Sequence, residues 1–407
     1  MVQLPLGTES ISVNLPNVKI AQPTGNEAVE IQAALVDAIS NPHGEKLQKQ
    51  VSEDDTIAIV TTDRTRSTPT ETLVSALIER LNQAGVAKSQ ITIVVGTGLH
   101  AELSSQELNE LLGSHAELAV NHDVSDVVTV GQVDGVPVEV NPVIYEADTV
   151  ITTGIVEPHQ YAGFSGGAKT VVIGAGGEEL IRYTHGPKML DRDGIRLGRI
   201  MGNPFREAIN KAGDLIGIDF CVNITRCSGN ITGVSAGDHT AVLEELASTA
   251  QEALAVPIKK TYDTVIAGID GPKDKNLYQA SRAATYIALG AVNPLKENGT
   301  IIVPARLENG AGHGAGEQRF YRELIKSESP EALYNKMKDG YDPGAQRAFV
   351  LSQVLQQHTV TITNSEHPQV VTECHMEVEE SINTAIDTAA DILIVPDAIN
   401  TLLIPKK

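Results

Sequence analysis

Basic and imidazole side chains of this chain fall in polar or glycine-rich segments that follow short apolar runs. Arg66 follows one such run, His100 a second, and His159 and Lys169 a third. Imidazoles accept and return protons near neutral pH, and arginine and lysine bind carboxylates and phosphates. The pattern therefore indicates a ligand-binding site on these loops. The candidate residues are Arg64, Arg66, His100, His159, Lys169 and His185.

Three short glycine motifs match known signatures only in part. Gly96–Ala101 fits the G-x-G-x-x-A dinucleotide fingerprint, but the next helix begins only near the capping signal at Ser104. Gly163–Gly167 fits the G-x-S-x-G nucleophile elbow, yet Pro158 and polar neighbours stand where a strand is needed. The same run misses the Walker A pattern because Ala168 replaces a glycine. The motifs alone therefore favour none of these three activities, although a glycine-rich loop that ends in a lysine still suits an anion.

The apolar runs before these residues are predicted to be buried β-strands. They are short, β-branched and nearly continuous, which is typical of parallel strands covered on both faces. Alternation of such strands with amphipathic helices predicts an α/β fold with mainly parallel sheets, in which the carboxyl ends of the strands face one crevice. The predicted strands are Thr56–Thr61, Ile91–Val95, Thr149–Thr152, Thr264–Ala267, Thr300–Val303, Thr359–Thr363 and Asp391–Val395, and the clearest helices are Pro69–Ala84, Thr240–Leu254 and Pro330–Met337.

Length and charge limit the class of protein. The chain has 407 residues, and a boundary near Val256–Thr261 predicts two α/β domains, 1–255 and 256–407. Its 31 Lys and Arg against 52 Asp and Glu give a formal net charge of −21. Sequence-independent binding of nucleic acid and docking on anionic lipid both need a surplus of positive charge, so both are excluded. A small-molecule ligand is favoured.

The cysteines and the first residues suggest a compartment. The three cysteines are an odd number and form no C-x-x-C motif, which argues against a disulfide framework or a structural zinc site. Met1–Glu9 has no basic region followed by an apolar one, and no apolar stretch reaches the roughly 20 residues that span a bilayer. We expect a cytoplasmic protein without a membrane partner.

The segments that carry the candidate residues resemble the nickel-pincer lactate racemase family. The resemblance runs from about Asp55 to the C-terminal strand, and the H-x-x-A-G-F-S-G-G-x-K stretch that begins at His159 is its most specific part. The partial Walker and elbow matches are fragments of this longer signature. The matching segments are Thr62–Arg66, Gly96–His100, Glu157–Lys169, His185, Asn276–Gln279 and Gly310–Gly316.

The resemblance implies a cofactor, the nickel-pincer nucleotide. This is a pyridinium-3,5-bisthiocarboxylic acid mononucleotide that holds Ni(II), and dedicated maturation enzymes must supply it. Lys169 would attach it covalently and His185 would complete the nickel coordination. Soft sulfur ligands combined with imidazole suit Ni(II). The remaining cofactor-binding residues carried over are Asp63, Arg64, Thr65, Arg66, Gly166 and Gly167.

The resemblance also implies a reaction, the inversion of C2 in a 2-hydroxy acid. Hydride leaves C2 for the cofactor and returns to the opposite face of a transient 2-keto acid. His100 and His159 would act as general acid/bases, one for each enantiomer, and Arg66 would bind the substrate carboxylate. The two domains would enclose the active site in the cleft between them.

Three positions depart from the family pattern. One is around Gln346, where the pattern has an aromatic residue near the substrate. Tyr278 and Gln279 match the family's substrate-binding residues, but Arg282 stands where the lactate-specific pattern has a lysine, and Ala168 replaces an arginine. A planar guanidinium accepts a larger or second anionic group, so we expect a racemase or epimerase of a 2-hydroxy acid other than lactate. Two alternatives stay open: a non-catalytic protein that binds an anionic metabolite or nucleotide on the same fold, and a pyridine-nucleotide dehydrogenase. Retention of both His100 and His159 favours the enzyme.

Overall fold

A computed structural model of the chain describes residues 2–16 and 18–406. The strands are β1 (Val2–Leu6), β2 (Glu9–Val13), β3 (Lys19–Ile20), β4 (Ile57–Thr62), β5 (Ile91–Gly96), β6 (Ala119–Asn121), β7 (Val128–Val133), β8 (Val136–Val140), β9 (Thr149–Val156), β10 (Pro158–His159), β11 (Gly163–Phe164), β12 (Phe220–Cys227), β13 (Asn230–Gly237), β14 (Ala255–Ile258), β15 (Tyr262–Ala267), β16 (Leu295–Pro304), β17 (Thr359–Thr363), β18 (Glu377–Glu379), β19 (Ile392–Val395) and β20 (Leu402–Pro405). All seven predicted strands are confirmed by β4, β5, β9, β15, β16, β17 and β19.

Helices and helical turns connect these strands. The α-helices are α1 (Ile31–Ser40), α2 (Leu47–Gln50), α3 (Thr70–Gln83), α4 (Ser105–Leu112), α5 (Pro142–Glu146), α6 (Glu178–His185), α7 (Pro187–Leu190), α8 (Pro204–Ile216), α9 (His239–Leu254), α10 (Leu277–Ala288), α11 (Ala315–Ile325), α12 (Pro330–Lys338), α13 (Gln346–Leu355), α14 (Pro368–Glu373) and α15 (Ile382–Ala385). A π-helical turn covers Thr170–Gly174, and short 3₁₀ turns cover Lys88–Gln90, Gly113–Leu118 and Lys273–Lys275. The three predicted helices correspond to α3, α9 and α12.

The chain divides into two compact units, and each is built from more than one segment. Unit N comprises Gly25–Thr184 and Ile200–Ala253, and unit C comprises Met1–Thr24, His185–Arg199 and Leu254–Lys407. The last segment of unit C begins at Leu254, and the two earlier segments group with it.

Local contacts explain why these two earlier segments belong to unit C. Leu4 and Val13 of the β1–β2 hairpin share an apolar cluster with Ile266 and Ile302 of the unit C sheet. The segment His185–Arg199 is held by Asp191, which accepts hydrogen bonds from helix α12 and α13 side chains. Neither packing contact leaves a signal in the local sequence pattern.

Unit N is built on a six-stranded sheet in the order β13-β12-β9-β4-β5-β6. Its strands are parallel except for β13, which pairs antiparallel with β12. Alternate side chains of β4 point to opposite faces, as strand geometry requires. Ile57 and Ile59 join a cluster that includes Leu77 of α3, whereas Val60 joins a second cluster with Ile144 of α5. Apolar cover on both faces accounts for the unbroken apolar run in the sequence.

Unit C contains a second six-stranded sheet, in the order β18-β17-β16-β15-β19-β3, and all of its pairings are parallel. The α/β fold with mainly parallel sheets is therefore confirmed. Over the part of the chain that the structure describes, no helix is long and apolar enough to cross a membrane. All three cysteines are free and buried.

Candidate active site

The strand order of unit N creates one preferred place for a ligand. The chain runs outward from β4 through β5 to β6, then returns to β9 on the other side of β4 and continues to β12. The order therefore reverses between β4 and β9. In open parallel sheets, ligands bind beyond the carboxyl ends of strands at such a reversal. The loop after β4 carries Asp63 and Arg66, and the loop after β9 carries Glu157 and His159.

Asp63 and His100 form a close pair across the ends of β4 and β5. The Nδ1 atom of His100 lies 2.8 Å from Oδ2 of Asp63. Burial alone would raise the pKa of the Asp63 carboxyl, but hydrogen bonds from His100 and Thr65 outweigh it and hold that pKa below its usual range. An ionised carboxylate only accepts hydrogen bonds, so Nδ1 of His100 must carry a proton. Nε2 of a neutral His100 is then the nitrogen with the lone pair.

The two arginines of the β4 loop contact different acids. Arg66 forms an ion pair with Glu157, and both side chains are about two-thirds buried. This contact joins the β4 and β9 loops at the point where the strand order reverses. Arg64 is 63% exposed and pairs with Glu107 of α4 at 2.6 Å. The structure therefore places Arg66 in the loop cluster and directs Arg64 towards α4.

His159 is held by backbone and aromatic contacts. Its Nδ1 accepts hydrogen bonds from the backbone N–H groups of Tyr161 (3.2 Å) and Ala162 (3.1 Å). The ring packs edge-on against Tyr161, with centroids 5.6 Å apart, and at 6.2 Å from the ring of Phe205. Because Nδ1 acts as an acceptor, the proton of a neutral His159 resides on Nε2. The two imidazoles thus rest in opposite tautomers.

The glycine-rich loop from Gly163 to Gly167 owes its shape to packing within unit N. Gly166 has φ +81°, and a Cβ there would lie 2.6 Å from Cγ2 of Val156. The N–H of Gly167 donates to Oδ1 of Asn223 at 2.8 Å, so the protein itself uses one N–H of the expected phosphate-binding loop. The hydroxyl of Ser165 donates to the carbonyl of Ile155 at 2.7 Å. That serine is structural, which agrees with rejection of the nucleophile elbow.

Lys169 ends this loop with a buried side chain. Burial is the largest cause that lowers the pKa of its amine, and the positive charges of Arg66 and Arg206 lower it further. The carboxylates of Glu157 and Asp63 act in the opposite direction, and the resulting pKa is about 7. The lowered pKa favours the uncharged amine, which is the form of lysine that has the lone pair of a nucleophile.

The glycines of the partial dinucleotide fingerprint pack against protein backbone. A Cβ on Gly96 would lie 3.0 Å from backbone atoms of Gly174, and one on Gly98 would lie 3.0 Å from the carbonyl oxygen of Ile173. The N–H of Gly98 also donates to the Gly174 carbonyl at 2.8 Å. These glycines thus allow the β5 loop to approach the turn that follows Lys169, and the motif has a structural explanation.

Three predicted substrate-binding residues lie at the start of α10 in unit C. Asn276 caps this helix by accepting a hydrogen bond from the backbone N–H of Gln279. The Arg282 guanidinium donates to Oε1 of Gln279 at 3.3 Å and to the hydroxyl of Tyr286 at 3.0 Å. Its Nε is buried and has no hydrogen-bond partner among residues 2–16 and 18–406. The ring of Tyr278 lies 4.7 Å from the guanidinium carbon of Arg347.

Two further histidines lie at positions that match the family, His185 itself and His313 within Gly310–Gly316. His185 is the last residue of α6 and is partly buried. His313 lies in the glycine-rich loop before α11 and is exposed. In the described part of the chain, no group of three or more His, Cys, Asp or Glu side chains could hold a metal ion.

Three residues near the loop were not predicted from the sequence. Glu157 pairs with Arg66, Asn203 donates to the Tyr161 carbonyl at 2.8 Å, and Arg206 donates to carbonyls of the loop. Glu157 directly follows β9, and this position could have indicated it as a site residue. Asn203 and Arg206 lie at the start of α8, some forty residues later in the chain, where only an N-capping pattern is visible in the sequence.

Comparisons with known proteins agree with this fold. A family model described as the lactate racemase N-terminal domain matches residues 6–198, and one described as the lactate racemase C-terminal domain matches residues 258–406. The structure superposes on that of the lactate racemase apoprotein from Thermoanaerobacterium thermosaccharolyticum with a TM-score of 0.89, at 24% identity over 99% of both chains. A crystal structure of a protein from Thermotoga maritima matches with a TM-score of 0.68 and 16% identity, over 92% of this chain and 97% of that one. These two likenesses show the fold.

Two sequence relatives extend over nearly the whole chain. The lactate racemase of Lactiplantibacillus plantarum is 28% identical over 393 residues, which cover 91% of each protein. That of Thermoanaerobacterium thermosaccharolyticum is 25% identical and covers 100% of this chain and 99% of its own. The fold and the matches together define a racemase, an enzyme of the isomerase class. The chain belongs to the lactate racemase family.

Proposed function

We propose that this protein inverts C2 of a 2-hydroxy acid with a nickel-pincer nucleotide attached to Lys169. The observation that carries the proposal is the placement of the buried Lys169 behind the β9 loop, with His100 and His159 on the neighbouring loops. A lysine of that kind suits covalent attachment of a carboxyl-derived group. Cationic side chains around it suit the phosphate of a mononucleotide.

The chemistry of the described residues fits such a group. The protein offers no metal site of three side chains among those residues, and a pincer cofactor supplies most of the ligands to its own metal, so that His185 alone could complete them. Such a cofactor would supply an acceptor and donor of hydride for C2 of the substrate. The protein supplies the remaining parts of the reaction: binding of the carboxylate and transfer of the hydroxyl proton.

The two histidines have complementary resting states for that proton. His100, oriented by Asp63, presents Nε2 with a lone pair and accepts the proton of the C2 hydroxyl. His159 carries its proton on Nε2 and donates a hydrogen bond to the oxygen on C2 of the substrate. As a 2-keto acid, the substrate is planar at C2, so either face can be reduced. Return of the proton to oxygen completes inversion.

The substrate side of the proposal rests on Arg282. Its buried Nε lacks a partner among the described residues, while Gln279 and Tyr286 fix the guanidinium plane. An unpaired buried donor is costly unless a ligand satisfies it. We therefore assign Arg282 to an anionic group of the substrate, and we propose a 2-hydroxy acid that is bulkier or more polar than lactate. Tyr278 and Gln279 complete this part of the site.

Isotope labelling tests the reaction. One enantiomer of the preferred substrate, carrying deuterium at C2, is incubated with cofactor-loaded protein in ordinary water. Hydride transfer predicts that the opposite enantiomer retains the deuterium, because hydride does not exchange with solvent. Loss of the label to water at the rate of inversion would show that C2 is deprotonated instead. As the control for attachment, Lys169→Ala protein should lack the mass that the covalently bound cofactor adds.

A further inference from the structure

Arg206 is an arginine enclosed by the glycine-rich loop. It lies in the first turn of α8 and is 1% exposed. All three guanidinium nitrogens donate to loop carbonyls: Nε to Ala162 at 3.4 Å, Nη1 to Gly166 at 3.3 Å and Nη2 to Phe164. Within residues 2–16 and 18–406, no carboxylate forms an ion pair with it.

Burial of such a charged side chain destabilises the fold. A buried positive charge loses its hydration, and neutral carbonyls compensate for less of that loss than a carboxylate would. Burial lowers the pKa of Arg206 to about 9, which leaves the guanidinium charged at neutral pH. A glutamine or methionine would fill the space without that cost, so the charge itself needs an explanation.

The link to Lys169 runs through one oxygen atom. The carbonyl oxygen of Gly166 accepts a hydrogen bond from Nη1 of Arg206 and another, at 3.4 Å, from the backbone N–H of Lys169. Arg206 therefore fixes the turn from which the lysine side chain extends. The charged groups that act on the Lys169 amine are Arg66, Arg206, Glu157 and Asp63, two of each sign.

We propose that Arg206 is a positioning residue for Lys169: it fixes the turn that carries the lysine and places a second positive charge beside the amine, so that the amine is a nucleophile before any ligand binds. This inference rests on the proposed function, in which Lys169 is acylated. In that reaction class the amine attacks an acyl or thioacyl carbon through its lone pair, loses a proton and displaces the leaving group on that carbon. Only the uncharged amine has the lone pair.

Competitive labelling of the cofactor-free full chain tests this role. Acetic anhydride, a small neutral reagent, acetylates amines and releases acetate, and the extent of modification of the Lys169 and Lys211 peptides is read by mass spectrometry from pH 5.5 to 10. Exposed Lys211 on the same helix α8 is the internal reference. We expect the reactivity of wild-type Lys169 to rise with a midpoint near pH 7.

Three variants separate charge from packing. Arg206→Gln removes the charge and keeps hydrogen-bond donors, and we expect its Lys169 midpoint to move up by about one pH unit or more, with a roughly fivefold lower rate at pH 7. Arg206→Lys keeps the charge, so its Lys169 midpoint should lie close to that of wild type. Arg206→Met removes both the charge and the hydrogen-bond donors. A purely structural role would lower the melting temperature in all three without moving the midpoint of the folded protein.

Two results would overturn the inference. One is a folded Arg206→Gln protein whose Lys169 midpoint equals that of wild type. The other needs no variant and applies even if none folds: a wild-type Lys169 midpoint near 10, as for an exposed lysine. The assay contains neither cofactor nor substrate, so failure of the racemase proposal would leave its outcome unchanged.

Discussion

Asp63 shows how one loop residue acquires its role from a neighbouring strand. The sequence places it beside Arg66 and the family resemblance makes it a cofactor-binding residue, but its carboxylate contacts His100 across the strand ends. Pairing of β4 with β5 brings the two together, and local sequence contains no information about that distance. The structure therefore indicates that Asp63 orients the imidazole of His100.

Removal of the Asp63 charge should affect the chemical step. We expect Asp63→Asn to lower kcat by about 100-fold or more, within the usual range for general acid–base catalysis, and to change KM little. An amide can donate to Nδ1 of His100 and so favours the wrong tautomer. Initial rates of inversion at matched cofactor loading measure the effect.

Thr65→Val is the matched control for that prediction. It removes a hydrogen bond to the other oxygen of Asp63 but keeps the carboxylate, so we expect a smaller loss, of about tenfold or less. Equal losses in the two variants would contradict a specific role for the Asp63 charge in orienting His100.

Arg282 gives a second prediction at this scale. Arg282→Lys should lower kcat/KM for the preferred substrate by about tenfold, because a lysine has no fork for a planar anionic group and no Nε donor at that position. Relative activity towards smaller 2-hydroxy acids should increase. Steady-state kinetics over a substrate panel measures both. Arg322→Lys, at an exposed position of α11 in the same unit, is the control; an equal change there, or none at Arg282, would contradict the assignment.

At the scale of elements, the glycine-rich loop illustrates what the sequence can and cannot predict. Its length, its glycines and its terminal lysine are visible in the sequence, and they indicate an anion-binding loop. The start of α8, which holds the Tyr161 carbonyl through Asn203 and three others through Arg206, comes some forty residues later. Such non-local contacts have no periodic signature, so this half of the arrangement required the structure.

Gly166 and Gly217 form a matched pair that tests the packing of this loop. Both have nearly the same positive φ, +81° and +84°, so an alanine costs similar backbone strain at each. A Cβ at Gly217 would meet no atom within 4 Å, whereas one at Gly166 would meet Val156 and Asn223 at 2.6 and 2.7 Å. Gly166→Ala should therefore lower the free energy of unfolding by about 1–3 kcal/mol more than Gly217→Ala. Denaturant titration measures the difference, and equal losses would contradict the packing.

At the scale of the whole molecule, strand and helix positions were predictable and the grouping of segments was not. Apolar runs such as Thr56–Thr61 report burial on both faces, which is a local property. Attachment of Met1–Thr24 and His185–Arg199 to unit C depends on the pairing of β3 with β19 and on contacts of Asp191. The net charge of −21 likewise describes the whole chain and gives no information about the cationic groups near Lys169.

The buried lysine should make global stability depend on pH. The folded-state pKa of Lys169, about 7, lies below its ordinary value of 10.5, so between these values the unfolded chain binds more protons. The free energy of unfolding should therefore rise with pH across this window. Lys169→Met removes the contribution, so its stability advantage over wild type should be greatest at pH 7 and shrink towards pH 10. Denaturant midpoints at several pH values measure this; a difference independent of pH would contradict it.

The central claim is that the loaded protein interconverts the two enantiomers of a 2-hydroxy acid. In its most direct test, protein whose cofactor mass at Lys169 has been confirmed is incubated separately with each pure enantiomer of a panel of 2-hydroxy acids. The amounts of both enantiomers are then followed by chiral chromatography. For at least one acid larger or more polar than lactate, we expect the two reactions to converge on the same 1:1 mixture. We expect His100→Asn to abolish the conversion. No change in configuration with any member of the panel, despite full loading, would contradict it.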